Sequence, residues 1–155
     1  MICETFRNEY LEFECCIKYD GNDEIIPVEE NDKSFAINNI SRKRFMVIRI
    51  DDCVIRQEQM KCDYLYVNCD DRILYFIELK GSHKLKAIKQ ILMTLNRFKI
   101  NEFYKNSKSV YAYIVSSVVN NPPNVLPPER IRLDTELENK NGELEIVQTP
   151  YEKIV

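Results

Sequence analysis

At 155 residues and 18.4 kDa, with 45% apolar side chains, the chain is long enough to bury one core and too short for two ordinary domains. Thirty per cent charged residues, nine Tyr, seven Phe and only three Gly exclude disordered, collagen-like and low-complexity classes, and apolar runs of a few residues exclude a bilayer-crossing helix. The net charge of −3 is uneven: residues 1–41 hold three basic and ten acidic side chains and residues 79–108 hold eight basic and one acidic, a basic block inside an acidic protein that reads either as a solvated helix face or as a face for phosphate.

The N-terminus, Met-Ile-Cys-Glu-Thr-Phe-Arg-Asn-Glu, mixes acids and polar groups where a secretory signal needs a basic start and an apolar stretch. A soluble, cytoplasmic protein is therefore expected. Six cysteines, at 3, 15, 16, 53, 62 and 69, are then expected to be reduced thiols that pack as small apolar side chains. The vicinal Cys15-Cys16 is the pair open to redox chemistry. With no Cys-x-x-Cys and a single histidine, His83, no Cys/His zinc grid is expected.

Residues 1–41 fit either an opening helix or a strand pair, with a turn at Asp20-Gly21-Asn22-Asp23 and a helix-breaking Pro27. Phe45 to Ile50 reads as a buried strand ended by Asp51-Asp52, and a second short strand is expected at Cys53 to Arg56. Next comes a hairpin: Cys62 to Val67, a turn over Asn68 to Arg72, and Ile73 to Leu79. Period-two geometry puts Asp63, Leu65 and Val67 on one face, with Leu74, Phe76, Glu78 and Lys80 sharing a face of the next strand. The other faces carry Tyr64, Tyr66, Ile73, Tyr75, Ile77 and Leu79, so both strands should be central and covered on both sides.

Ser82 is the expected N-cap of a helix whose Leu85, Ile88, Ile91, Leu92, Leu95 and Phe98 make one apolar stripe, with Lys84, Lys86, Lys89, Arg97 and Lys99 elsewhere. Ser109 to Ser116 reads as a buried strand, and the four prolines between Val119 and Pro128 as a stiff loop. A weak polar helix over Glu129 to Asn139 and a last, edge strand over Glu143 to Gln148 complete the chain.

The chemistry-bearing pattern is Asp63 followed by Glu78-Leu79-Lys80. If Asn68 pairs with Ile73, Asp63 falls opposite Glu78, whereas a one-residue slip sends it to the other face. Two facing carboxylates hold a hard divalent cation such as Mg²⁺ or Mn²⁺ and leave positions for water and a phosphate oxygen. An adjacent ammonium orients that water or neutralises charge on phosphorus, which suits phosphodiester hydrolysis. Asp and Glu face to face repel unless something positive lies between them.

On these residues, "KCDYLYVNCDDRILYFIELKG" followed by a basic amphipathic helix resembles the PD-(D/E)xK nuclease superfamily, over about residues 45–116. The resemblance implies a restriction-endonuclease-like α/β core of helix, three-stranded meander, helix and further strand, in which a mixed central sheet is flanked by helices. It also implies metal-dependent cleavage of nucleic acid. Asp63 and Glu78 match the metal ligands, Lys80 the catalytic lysine and Gln90 a glutamine of the following helix. Cys62 stands where the family name has proline, and no acid among Glu4, Glu9, Glu12 and Glu14 stands out as the ligand that many relatives supply from their first helix.

The expectation is one domain over residues 1–155, a Mg²⁺- or Mn²⁺-dependent endonuclease on DNA that acts as a homodimer or within a larger complex. His83, Lys84, Lys86 and Lys89 would touch nucleic acid, and restriction, phage defence or mobile-element biology follows from the family's habits. Two alternatives stand beside it: a non-catalytic relative that binds nucleic acid, and a protein-interaction module working through its acidic N-terminal third. Residue by residue, Glu78 and Lys80 also read as a same-face ion pair, and Asp63 as a strand-start residue bonding backbone amides. His83 also reads as a surface residue, Gln90 as polar filler, and Ser41 to Arg44 ("SRKR") as a solvated cluster or a contact to a nucleic-acid backbone.

Overall fold

A computed structural model describes residues 1–55, 61–79, 83–118 and 127–155. In chain order they form α1 (Ile2–Glu9), a 3₁₀ segment (Leu11–Cys16), β1 (Ile17–Gly21), β2 (Ile25–Glu30), β3 (Lys33–Asn38), β4 (Phe45–Arg49), β5 (Tyr64–Asn68) and β6 (Ile73–Glu78). Then follow α2 (Lys84–Phe98), α3 (Glu102–Lys105), β7 (Ser109–Ser116), α4 (Pro128–Glu138), β8 (Leu144–Gln148) and β9 (Tyr151–Ile154). The protein is mixed α/β. Its central sheet, ordered β1-β4-β5-β6-β7-β8, is antiparallel as far as β6 and parallel from β6 to β8.

Alternation along β5 and β6 splits the core in two. Leu65, Val67, Leu74 and Phe76 pack with Ala87, Ile91, Leu95 and Phe98 of α2 and with Phe6 of α1. Tyr64, Tyr66, Tyr75, Ile77 and Leu79 pack on the other side with Ile26, Phe35 and Ile37 of a second sheet, β2-β3-β9. Every residue of β5 is buried, as expected of a central strand covered on both faces. The helices thus cover one face and the small sheet the other. Tyr66 pins that sheet by donating its buried hydroxyl to the Ile26 carbonyl at 2.9 Å, while Phe35 stacks edge-on to it at 5.4 Å.

Several expectations change. No strand forms over the described part of Cys53 to Arg56: Cys53 and Val54 turn, with an isolated bridge between Asp51 and Ile55, and Arg56 lies outside the described residues. The basic helix opens at Lys84 with His83 in the N-cap position, and Ser82 lies outside the described residues. Leu85 is 43% exposed because the helix's buried face is set by Ala87, Ile88, Ile91, Leu95 and Phe98 instead. The proline loop is described only from Pro127, which caps α4 with Pro128 at its first turn. β8 is an edge strand as expected, but β9 follows it into the small sheet. The N-terminal third holds both a helix and a strand pair.

The reduced-thiol expectation is overturned for four cysteines. Cys3 bonds Cys69 and Cys16 bonds Cys53, joining residues 66 and 37 positions apart, while Cys15 is a free exposed thiol and Cys62 a free buried one. The fold lays α1 and the 3₁₀ segment over the ends of β4 and β5, and sequence spacing carries no signal of that proximity. Among the described residues no helix is long and apolar enough to cross a membrane.

Candidate functional site

The β5–β6 register is set by the turn between the strands. Asn68 pairs with Ile73, and the Asn68 side chain accepts the Asp71 amide at 3.0 Å and donates to the Asp71 carboxylate at 3.1 Å. Arg72 takes φ 58°, the left-handed conformation that closes the loop. Pairing runs regularly to Tyr64–Ile77, the register that brings Asp63 and Glu78 to the same end of the hairpin.

At that end the ladder changes. The Asp63 carbonyl still accepts the Ile50 amide at 3.0 Å in line with β4, but its own amide donates to Ile77 at 3.1 Å, one position off register. Asp63 Oδ2 accepts the Leu79 amide at 2.7 Å. One oxygen therefore serves the backbone, as a strand-start aspartate does. The other, Oδ1, is buried and has no hydrogen-bond partner among the described residues. Asp63 is 1% exposed and Glu78 0%. Both act on the Cys62 thiol: burial first, then the charges of Glu78 and Asp63, push it well above the usual thiol range.

Glu30 at the end of β2 and Asp51 just after β4 reach the same place. One carboxylate oxygen each from Glu30, Asp51 and Asp63 lie within 4.8 Å of one another, a group that does not include Glu78. Lys61 Nζ stands 3.4 Å from Asp51 and 3.7 Å from Asp52, and Arg49 Nε donates to the Asp51 carbonyl at 3.0 Å. Asp51, expected only to end a strand, thus joins Asp63 because β4 and β5 are antiparallel neighbours. That adjacency follows from the sequence once β4 is placed next to β5. Glu30 had no such signal, since its position depends on how the small sheet docks.

Gln90 is 5% exposed on the buried face of α2, and one turn later Thr94 links that helix to the site. The Thr94 hydroxyl donates to the Gln90 carbonyl at 2.8 Å and accepts the Cys62 amide at 2.9 Å. Sequence reasoning passed over Thr94, although a second polar residue four positions beyond Gln90 on an apolar stripe marked it. Lys80 lies outside the described residues. His83 and Lys86 are exposed, Lys84 is half-buried, and Lys89 Nζ is 4.0 Å from Glu129 of α4.

Three acids of the N-terminal helical stretch serve elsewhere. Glu4 bonds Arg44, Glu14 bonds Arg7, and Glu9 accepts the amides of Glu102 and Phe103 at the start of α3. In the Ser41 to Arg44 cluster, Arg44 also grips Asp20 through two bonds of 2.9 Å, and Arg42 pairs with Glu24 at 3.1 Å. Arg44 holds the carboxyls of Asp20 and Glu4 below their usual range. Those arginines are thus engaged by acids of the protein itself. Comparison with protein-family models, curated proteins and solved structures finds no match to this chain.

Proposed function

We propose that the protein is a divalent-cation-dependent nuclease that hydrolyses phosphodiester bonds in DNA at the β5–β6 end carrying Asp63 and Glu78. The observation that carries this reading is the placement of two buried carboxylates, fifteen residues apart in sequence, at the same end of adjacent central strands and next to the same thiol. Burying such groups is costly without compensation. The order α1, antiparallel β4-β5-β6, α2, then β7 parallel to β6 agrees with what the resemblance implies.

The residues fit a hard cation, since Asp63 keeps a buried oxygen unmet while its other oxygen is fixed to Leu79. Asp63 and Glu78 would hold the Mg²⁺ or Mn²⁺. When bound, such an ion stabilises charge developing on the phosphorus and lowers the pKa of a coordinated water. Lys80 is assigned to orient the attacking water and offset charge on the phosphoryl oxygens. Gln90, tied through its carbonyl to Thr94, is assigned a supporting role beside the site. His83, Lys84, Lys86 and Lys89 would hold the DNA backbone, with Lys89 exchanging Glu129 for phosphate. A homodimer or a larger complex would extend the reading surface of so small a unit.

The test is nicking or linearisation of supercoiled plasmid with Mg²⁺ or Mn²⁺, compared with EDTA. Cleavage should fall at least a hundredfold in Asp63→Asn, Glu78→Gln and Lys80→Met while circular dichroism is unchanged, roughly the loss expected for essential charge-stabilising groups. Equal cleavage in all three variants would overturn the site. Salt-sensitive DNA binding with no cleavage by the wild type would overturn catalysis and leave a binding module.

A further inference from the structure

Glu30, Asp51 and Asp63 come from three separate stretches: the end of β2 in the small sheet, the residue pair that closes β4, and the bend that opens β5. An oxygen from each lies within 4.8 Å of the other two. Two oxygens on one ion can be separated by at most twice the metal–oxygen distance, about 4.6 to 5.2 Å for Ca²⁺ and about 4.2 Å for Mg²⁺. Three oxygens shared by one ion must stand somewhat closer than that pairwise limit, so the three carboxylates lie near the span of a larger hard cation and need a further closure for a smaller one.

A group of acids alone would say little, but Asp63 adds an independent observation. Its Oδ1 is buried and without a hydrogen-bond partner among the described residues, and the side chain cannot turn to water to find one. Oδ2 is fixed by the Leu79 amide, while the backbone on either side is fixed by Ile77 and Ile50. The nearby ammonium of Lys61 is directed to Asp51 and Asp52 and leaves that oxygen unmet. A desolvated anionic oxygen held in place, on a side chain that stands with two more carboxylates, has the requirements of a cation ligand.

We infer that Glu30, Asp51 and Asp63 form a binding site for one divalent cation of the hard, oxygen-seeking class, with the small sheet contributing a ligand. The site shares Asp63 with the proposed nuclease centre but does not depend on cleavage. It also gives the docking of β2 onto the central sheet a functional consequence, because loosening that sheet withdraws Glu30.

The probe is Mn²⁺, which takes the same oxygen ligands and is read directly by loss of the free-ion electron paramagnetic resonance signal. Protein stripped with EDTA should take up one Mn²⁺ per chain. Glu30→Gln and Asp51→Asn should each weaken uptake roughly tenfold or more. Mn²⁺ should also raise the thermal midpoint of the wild type by mass action, and raise that of the two variants less at the same concentration, which separates weakening of the site from loss of the fold. Wild-type protein that takes up no Mn²⁺, or uptake unchanged in Glu30→Gln and Asp51→Asn, overturns the inference. Mn²⁺ uptake with this pattern and no plasmid cleavage would refute the nuclease reading alone.

Discussion

The Asp63 carboxylate accepts the Leu79 amide at 2.7 Å, so a side chain supplies the acceptor for a backbone donor just beyond the end of β6. Removing that side chain does two things at once. Asp63→Ala strands a buried amide and should cost about 1–3 kcal/mol, whereas Asp63→Asn keeps an oxygen acceptor and loses only the charge. Chemical denaturation should therefore show the alanine variant clearly less stable than the asparagine one. Equal stability would mean that the Leu79 bond contributes nothing. Catalytic tests belong on Asp63→Asn for this reason.

Thr94 holds the residue before Asp63 through the Cys62 amide at 2.9 Å. Thr94→Val keeps the shape and removes the acceptor, leaving a buried N–H unpaired at a cost of about 1–3 kcal/mol. Thr94→Ser retains the hydroxyl and should recover most of that. Urea midpoints of the two variants give the comparison; a valine variant as stable as the serine one would show that the helix does not position the Cys62–Asp63 segment.

Much of this geometry was legible beforehand because it is local. The turn residues Asn68 to Arg72 offer the Asn68–Ile73 register as one of two alternatives, and the hairpin adopts it, which brings Asp63 and Glu78 to one end. The slip at Asp63 was not legible, since it depends on a carboxylate competing with a backbone carbonyl for Leu79. Glu30 was hidden for a different reason: strand β2 belongs to a separate sheet, and no periodicity says where that sheet docks. The disulfides share this character, with partners 66 and 37 residues apart. Long-range contacts of this kind are decided by packing of whole elements, which local pattern does not encode.

The cysteines provide a direct check on that packing. Cys15 is exposed and free, Cys62 is buried with a thiol raised by burial and by the charges of Glu78 and Asp63, and the other four are paired. Because the thiolate is the reactive form, alkylation of native protein at neutral pH should mark Cys15 alone. Unfolding without reductant should add Cys62, and unfolding with reductant should add the remaining four. Peptide mass spectrometry reads the order. Native labelling of Cys3, Cys16, Cys53 or Cys69 would contradict the pairing.

Arg44 ties three elements together by bonding Glu4 of α1 and Asp20 of β1 from the start of β4. It is the largest cause of the lowered carboxyl pKa of both acids. Groups whose folded pKa is depressed stabilise the protein above their unfolded values, about 3.9 for Asp and 4.3 for Glu, and lose that contribution as pH falls through the lower folded values. Arg44→Met should thus cost about 1 kcal/mol near neutral pH, a modest figure because these pairs are partly exposed. The gap from wild type should narrow below about pH 4 as the acids protonate. A gap independent of pH between 7 and 3 would assign the loss to packing alone.

Gly142 lies where the chain leaves α4 and enters β8, with its amide donated to the Leu137 carbonyl at 2.8 Å. A Cβ there would stand 1.7 Å from the Val110 carbonyl oxygen and 2.6 Å from its carbon. Those are backbone atoms of β7, the strand that lies beside the parallel β6 in the middle of the sheet, so they cannot step aside as a flexible side chain would. The neighbouring bonds, Val110 to Lys140 and Ala112 to Glu143, bind the same two segments together at 3.1 Å each. Gly142→Ala must either part these bonds or tilt α4 away from the sheet, and overpacking of this kind typically costs about 1–3 kcal/mol. For a domain of this size that corresponds to a fall in thermal midpoint of roughly 2–12 °C. A midpoint equal to wild type would show that β8 can shift along β7 without loss, and that the parallel end of the sheet is looser than its hydrogen bonds imply.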